Sequence, residues 1–175
     1  MARYADIDKC EIVNGKYVGV SVYFQGCEFH CEGCFNPSTW NFNDGDEWNE
    51  EVQNKVLELC NREYIHRLSI LGGEPAHPLN NETVVNLMKA FKERFPEKKI
   101  WMWTGYLFEN IPNKELLEYA DYIVDGQFQL DKKDLSLMLR GSSNQRVIDV
   151  IKSLQANTIK VPFTKTLFRI LLIFV

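Results

Sequence analysis

The sequence predicts an α/β fold with mostly parallel strands, and three observations support this fold class. Short apolar runs of strand type alternate along the chain with longer segments in which apolar residues recur at helical spacing. Strands separated by helices of about ten or more residues are typical of parallel βαβ units. Polar and glycine-containing motifs follow the apolar runs, where parallel sheets place their functional loops. A chain of 175 residues with 45% hydrophobic residues suits a single domain, predicted over residues 1–161.

The first half of the chain contains two predicted strands and one predicted helix. YVGVSVYF (17–24) alternates apolar residues on one face, which predicts a strand. The polar, acidic stretch at 41–51 predicts a solvated loop leading into a helix from about residue 48 to residue 60. LSILGG (68–73) is a short apolar run that ends in glycines, so it predicts a buried strand. Cys10 falls in an N-terminal strand or turn.

The second half continues the alternation of helix and strand. Asn81 is the predicted cap of a helix that Pro96 stops. The remaining segments, in chain order, are predicted as a strand at 99–105, a short helix at 114–119, a strand at 121–126, a fifth strand or helix at 135–141, and a helix at 145–154.

The motif with the clearest chemistry is the loop CEFHCEGC, in which Cys27, Cys31 and Cys34 follow the first apolar strand. Three thiolates within eight residues can hold three irons of a cubane iron–sulfur cluster, whereas most cubanes have four cysteine ligands. A three-cysteine loop therefore leaves the fourth iron open for a small molecule. That open iron favours an enzyme over an electron carrier.

Structural zinc is the main alternative for the same loop. Zinc prefers four tetrahedral ligands, and His30, Cys10 or Cys60 are candidates to complete such a site. A matching second Cys-x2-Cys pair is absent from the sequence, which disfavours zinc. Cys60 lies on the apolar stripe of its helix, which favours a buried structural role. The odd, clustered cysteines and the start MARYADIDKC favour a reducing cytoplasm over a disulfide scaffold.

A second motif, Gly72-Gly73-Glu74-Pro75, follows the second predicted strand. Glycines at the end of a strand allow a ligand to approach the backbone, and Glu74 can accept hydrogen bonds from an ammonium group. Pro75 fixes the turn. Alone, the motif is equally compatible with an ordinary strand-to-helix turn. Beside a three-cysteine loop, the combination is specific.

The chain resembles radical S-adenosylmethionine (SAM) enzymes and, more closely, the activating proteins of anaerobic (class III) ribonucleoside-triphosphate reductases. The resemblance spans about residues 15–150, and its motifs are CEFHCEGCFNPSTW (27–40), LGGEP (71–75), WTGY (103–106), DGQF (125–128) and RGSSNQR (140–146). It implies a shortened, incomplete (β/α) barrel of mostly parallel strands.

The resemblance also implies a set of site residues. Cys27, Cys31 and Cys34 would bind a [4Fe-4S] cluster, and the amino and carboxylate groups of SAM would chelate its open iron. The SAM contacts it implies are Gly33 and Phe35 beside the cluster, Gly73 and Glu74 at the methionine amino group, and Gly72 and Pro75 in the turn; position alone adds Thr104 and Asp125. Gly33 replaces the aromatic residue found in many radical SAM proteins, and glycine is common at this position in the reductase activators.

The implied reaction is one-electron cleavage of SAM to a 5′-deoxyadenosyl radical, which abstracts hydrogen from a glycine of a partner protein. That partner would be the large catalytic subunit of anaerobic ribonucleotide reductase, and a donor such as flavodoxin or ferredoxin would supply the electron. The alternatives are an activator of another glycyl-radical enzyme, such as a formate lyase, a small radical SAM enzyme acting on a small molecule, or a non-catalytic zinc-binding module.

Charge and the carboxyl-terminal segment limit the remaining function classes. The net charge of −4 disfavours nucleic acid as a main partner. The apolar tail at 162–175 is much shorter than the ~20 residues of a membrane span, so no membrane association is predicted. The tail is not typical of the family, and its role is left open between a final strand, a partner contact and an unrelated sequence.

Overall fold

The computed structural model describes residues 2–162. Seven strands of this part form one sheet: β1 (Arg3–Glu11), β2 (Gly19–Phe24), β3 (Asp46–Glu47), β4 (Arg67–Gly72), β5 (Lys99–Trp103), β6 (Tyr122–Asp125) and β7 (Arg146–Asp149). The α-helices are α1 (Glu50–Cys60), α2 (Asn81–Arg94), α3 (Leu116–Tyr119) and α4 (Val150–Ala156). The predicted apolar tail lies outside the described residues, apart from Pro162.

The sheet has a parallel centre and antiparallel edges. Its strand order is β3-β1-β2-β4-β5-β6-β7, and the pairs β2–β4, β4–β5 and β5–β6 are parallel. Strands β1, β3 and β7 pair antiparallel at the two sides. The α/β class and the parallel centre are therefore confirmed. The barrel implied by the family resemblance is not confirmed, because the sheet is open, with β3 and β7 at its two edges.

The core explains why the central strands are almost continuously apolar. Helices α1, α2 and α3 pack with alternate strand residues such as Ile70, Ile100 and Met102 in the main buried cluster. The intervening residues point to the opposite face, where Trp101 and Val124 form a second cluster. Parallel strands buried on both faces show this kind of sequence. Over residues 2–162, no helix is long and apolar enough to cross a lipid bilayer.

Three details of the sequence prediction were wrong. Residues 135–141 form turns and bends next to a single bridge between Lys133 and Ser142, because Leu139 has a left-handed φ of 64° that breaks a regular strand. The predicted helix at 145–154 begins instead as strand β7, whose Val147 pairs with Val124 of β6. The apolar residues of this segment are compatible with the spacing of either a strand or a helix. Helix α4 begins only after Asp149, whose carboxylate accepts the Lys152 N–H at 3.1 Å.

The third error concerns the start of α2, where the capping position is Asn80 and not Asn81. The side chain of Asn80 does not cap the helix. It is buried, and its amide donates to the carbonyl of Gln25 at 2.9 Å and to that of Glu74 at 3.0 Å. Asn80 thus joins the end of β2 to the turn after β4, which the sequence pattern did not indicate.

Replacing this amide should destabilise the fold. In Asn80→Ala the Gln25 and Glu74 carbonyls lose a buried donor, and we expect the free energy of unfolding to fall by about 2 to 4 kcal/mol. Urea denaturation followed by circular dichroism measures this change. The control is Asn86→Ala, at an exposed position of the same helix, which should stay within about 0.5 kcal/mol of wild type. Equal stabilities for the two variants would contradict the stabilising role of the Asn80 hydrogen bonds.

Candidate metal centre

The parallel centre of the sheet brings the sequence motifs to one edge. The cysteine loop follows β2, the Gly-Gly-Glu-Pro turn begins at the end of β4, Thr104 follows β5, and Asp125 ends β6. Neighbouring strands end in register, with Phe24 opposite Gly72 and Trp103 opposite Val124. Since the carboxyl ends of parallel strands meet at the same edge, these motifs lie side by side.

Backbone hydrogen bonds connect the Gly-Gly-Glu-Pro turn directly to the start of the cysteine loop. The Gly73 N–H donates to the Phe24 carbonyl and the Glu74 N–H donates to the Gly26 carbonyl, both at 2.8 Å. A Cβ at Gly73 would lie 2.5 Å from the Gly26 carbonyl oxygen, so a larger residue does not fit without moving the backbone. Close approach of two backbones therefore explains the second glycine of the motif.

The extension after the third cysteine closes the loop on itself. The Gly26 N–H donates to the Thr39 carbonyl at 2.8 Å, and the Cys27 N–H donates to the Trp40 carbonyl at 3.0 Å. Residues Pro37–Thr39 form a single 3₁₀ turn that brings these carbonyls back to the beginning of the loop. The sequence Asn-Pro-Ser-Thr-Trp thus has a structural role in closing the loop that carries the three thiols.

Burial raises the pKa of two of the three loop thiols, and the third thiol accepts a backbone N–H. Burial raises the pKa of Cys27 to about 11, and backbone N–H groups of Phe29 and His30 oppose this shift. Burial also raises the pKa of Cys31, opposed by hydrogen bonds that include one from the Phe128 backbone. The Cys34 sulfur accepts the Asn36 N–H at 3.3 Å.

These contacts test whether the loop fits an iron–sulfur cluster. All five cysteines of the chain are free thiols, so none is committed to a disulfide. Backbone amides aimed at cysteine sulfurs stabilise thiolates, which are the ligands of such clusters. The donor set therefore fits a cluster held by three thiolates.

The other two cysteines lie elsewhere. Cys60 is fully buried at the end of α1 within the main core, and burial raises the pKa of its thiol to about 12. This confirms the predicted structural role of Cys60 and removes it as a zinc ligand. Cys10 is exposed on β1. In the part of the chain that the structure describes, no group of three or more His, Cys, Asp or Glu side chains is arranged to hold a single metal ion.

Glu74 is a buried carboxyl group that connects two strand ends. Its oxygens accept the Thr104 hydroxyl and the Gly105 N–H, each at 2.7 Å, and the Ala76 N–H at 2.9 Å. Burial raises the pKa of Glu74 to about 7, although the three hydrogen bonds act in the opposite direction. A nearby ammonium or amino group would favour the ionised form. The sequence predicted Thr104 as a SAM contact, and the structure places its hydroxyl on Glu74.

Asp125 is fully buried and already has partners. It forms an ion pair with Arg146, and one of its oxygens accepts the Phe108 N–H at 2.8 Å. Arg146 also bonds Glu109 at 2.9 Å. The carboxylate predicted to contact SAM therefore fixes the end of β6 to β7 and to the 3₁₀ turn at Phe108–Asn110.

Gly33 and Phe35 lie where the cysteine loop meets the segment that follows β6. Gly33 has a left-handed φ of 71°, and a Cβ there would lie 2.9 Å from the Leu130 side chain. The exposed Phe35 ring packs against Phe128 with 5.2 Å between centroids. The sequence showed DGQF as a motif but did not indicate that Phe128 contacts the cysteine loop.

Comparison of the sequence with known proteins supports an iron–sulfur site in this chain. Residues 13–148 match the family described as a 4Fe-4S single cluster domain. The chain is 41% identical over 145 residues to the anaerobic ribonucleoside-triphosphate reductase-activating protein of Enterobacteria phage T4, covering 83% of this chain and 92% of the relative. It is 37% identical over 149 residues to the protein of that name from Salmonella typhimurium, covering 83% and 97%, respectively.

The chain belongs to the anaerobic ribonucleoside-triphosphate reductase-activating protein family. A further relative of the same name, from Escherichia coli, is 36% identical over 141 residues and covers 78% of this chain. The resemblance inferred from the sequence motifs is thereby confirmed. The match to a 4Fe-4S domain makes the three free thiols of one loop, Cys27, Cys31 and Cys34, the candidate cluster ligands.

Cluster binding should depend on the loop thiols and not on Cys10. After anaerobic reconstitution with iron and sulfide, Cys31→Ala should retain only a small fraction of wild-type iron, because one cluster ligand is missing. Cys10→Ala, at an exposed position on β1, should bind as much iron as wild type. Elemental analysis and the visible absorption spectrum provide the measurement. Stoichiometric zinc with little iron in wild type would contradict the assignment.

The raised pKa of Glu74 should appear in the pH dependence of stability. The usual value of 4.5 is raised to about 7 in the fold, so this carboxyl group contributes stability below pH 4.5. The contribution is lost as the pH rises through 7. Across this window the free energy of unfolding of cluster-free wild type should fall, relative to Glu74→Gln, by at most about 3 kcal/mol.

Denaturant unfolding at pH 5 and pH 7.5 compares the two proteins, and Glu97→Gln at an exposed position serves as the control. The control should follow wild type. Parallel pH profiles for wild type and Glu74→Gln would show that burial does not perturb Glu74.

Proposed function

We propose that this protein generates a glycyl radical in the catalytic subunit of an anaerobic ribonucleoside-triphosphate reductase, using a [4Fe-4S] cluster and SAM. The observation that carries the proposal is the direct backbone connection between the three-cysteine loop and the Gly-Gly-Glu-Pro turn. This connection supports a single site that combines three thiol ligands with the buried Glu74 carboxyl group. The names of relatives at 36–41% identity supply the partner class.

Cys27, Cys31 and Cys34 would hold the cluster, and a set of three thiolates would leave one of its irons available to SAM. The bound and reduced cluster would supply one electron for the cleavage of SAM to methionine and a 5′-deoxyadenosyl radical, and this radical would remove hydrogen from a glycine Cα. The side chains of this protein provide binding, orientation and exclusion of water. No side-chain acid or base is assigned, because the radical itself accepts the hydrogen atom.

The Gly-Gly-Glu-Pro turn binds the methionine end of SAM. Gly72, with a left-handed φ of 111°, and Gly73 keep the turn narrow, and Pro75 limits its freedom. Glu74 accepts hydrogen bonds from the SAM amino group. Because its carboxylate is already oriented by Thr104 and Gly105, little reorganisation accompanies binding.

The other predicted SAM contacts divide into direct and indirect roles. Gly33 and Phe35 lie next to Cys34 and form part of the wall beside SAM. Thr104 and Asp125 act indirectly, because their polar atoms are engaged with Glu74 and Arg146. Thr104 orients Glu74, while Asp125 holds the end of β6. A one-electron donor such as flavodoxin or ferredoxin reduces the cluster, and the reaction takes place in the cytoplasm.

The proposal is tested by transfer of the radical to the partner. Reduced, reconstituted protein is mixed anaerobically with SAM and the anaerobic reductase catalytic subunit, and electron paramagnetic resonance is recorded. We expect a doublet signal from the glycyl radical. The signal should narrow when the reductase carries deuterated glycine. The doublet should be absent with Cys31→Ala and unchanged with Cys10→Ala.

A formate lyase in place of the reductase discriminates the partner. A glycyl radical formed on the lyase but not on the reductase would overturn the assigned partner. Absence of a radical on both enzymes, with a cluster loaded, would overturn glycyl-radical activation itself.

A further inference from the structure

Phe29, between the first two cysteines of the loop, packs on the residues that follow β5. Strand β4 lies between β2 and β5 in the sheet, so this contact reaches beyond the nearest strand. A Cβ at Gly105 would lie 2.4 Å from the Phe29 ring, which places the ring directly on the Gly105 backbone. The ring also meets the Tyr106 ring edge to face, with 4.9 Å between centroids. The Phe29 side chain therefore joins the cysteine loop to the end of β5.

The residues that contact the Phe29 ring also orient Glu74. The Gly105 N–H and the Thr104 hydroxyl each donate to the Glu74 carboxyl group at 2.7 Å. The Tyr106 N–H in turn donates to the Thr104 hydroxyl at 3.1 Å. One tripeptide, residues 104–106, thus contacts both the cysteine loop and the buried carboxyl group.

The contact with Phe29 explains why residue 105 is a glycine. The φ of Gly105 is not positive, so its backbone conformation does not by itself require glycine. The three atoms nearest to a Cβ at this position all belong to the Phe29 ring, at 2.4 to 3.2 Å. A side chain at residue 105 and the ring of Phe29 therefore compete for the same space.

The other two residues between the first two cysteines have weaker or more local contacts. The Glu28 side chain is 76% exposed and pairs with His77 at 3.4 Å, and exposed ion pairs contribute little to stability. The exposed His30 ring lies 4.7 Å from the Trp40 ring, within the extension that closes the same loop. Phe29 is therefore the residue of this segment that packs on the sheet.

We propose that Phe29 is a positioning residue that holds the Cys27–Cys31 part of the cysteine loop in a fixed position relative to Glu74. Two candidate cluster ligands lie at the ends of this segment, so the ring sets where a cluster lies relative to the carboxyl group. A molecule that binds both the cluster and Glu74 then needs little reorganisation of the site. This inference rests on the proposed function in taking SAM as that molecule.

The first test is anaerobic alkylation of the cluster-free full chain with iodoacetamide, followed by mass spectrometry of each cysteine. Cys27 is buried, and Phe29→Ala should raise its labelling rate about tenfold, because the loop opens more often without the ring. Cys60, in the core, should stay protected and reports an intact fold. The matched control is Glu32→Ala, at an exposed position of the same loop, which should label at the wild-type rate. Equal Cys27 rates in Phe29→Ala and wild type would overturn the proposal.

Gly105→Ala tests the same contact from the other side and covers the case in which Phe29→Ala does not fold. The added methyl group would displace the ring, so Cys27 labelling should rise in this variant too. When the ring is absent the methyl group meets no clash, so the double variant Phe29→Ala/Gly105→Ala should label no faster than Phe29→Ala. A wild-type rate in Gly105→Ala, or a double variant in which the two single effects multiply, would contradict the contact.

The second test measures the effect on the site in protein that carries an oxidised cluster. Anaerobic calorimetric titration with SAM should give about tenfold weaker binding in Phe29→Ala than in wild type, because the cluster and Glu74 are no longer held in register. Phe29→Tyr, which keeps the ring, and Glu32→Ala should bind SAM with an affinity close to that of wild type. Equal SAM affinity in Phe29→Ala and wild type would rule out the positioning role.

The two tests separate this inference from the proposed function. A loaded wild-type protein that binds no SAM would overturn the proposed function, whereas the labelling rates would still decide whether Phe29 holds the cysteine loop. SAM binding that is unaffected by Phe29→Ala would overturn the inference and leave the proposed function intact.

Discussion

Two backbone hydrogen bonds join the turn after β4 to the beginning of the cysteine loop, and the candidate site depends on them. Gly73 and Glu74 donate to carbonyls on either side of Gln25, and the buried Asn80 amide adds a third connection to the Gln25 carbonyl. The parallel pairing of β2 with β4 brings these atoms together. Without this connection, the thiols and the carboxyl group would belong to two independent loops.

The buried acidic groups at this edge of the sheet favour a ligand that carries positive charge or strong hydrogen-bond donors. A buried carboxylate is costly unless it is paired or hydrogen-bonded. Glu74 has three donors, yet burial still raises its pKa to about 7. Cys27 likewise has a raised pKa despite its backbone donors. A metal cluster on the thiols and an amino group on Glu74 would each stabilise the charged forms. A bound cluster and a bound amino group would thus favour the charged forms that burial opposes at this edge of the sheet.

The sequence predicted the parts of the fold that follow from local patterns. The central strands, α1, α2 and the cysteine loop were predicted because apolar periodicity and glycine turns are local signals. The strand β7 was missed since its few residues are specified by pairing with β6, not by their own pattern. The sheet edge strands and the open shape depend likewise on contacts distant in sequence.

The same limit applies to the site. Spacing predicted the thiols and Glu74 as site residues, whereas it did not predict the role of Asn80, because an amide that bonds distant carbonyls has no sequence periodicity. The most direct test of the central claim is anaerobic: reconstituted, reduced protein is given SAM, and 5′-deoxyadenosine is quantified. The account predicts product in wild type and none in Cys31→Ala. A loaded, reduced cluster that yields no 5′-deoxyadenosine would contradict it.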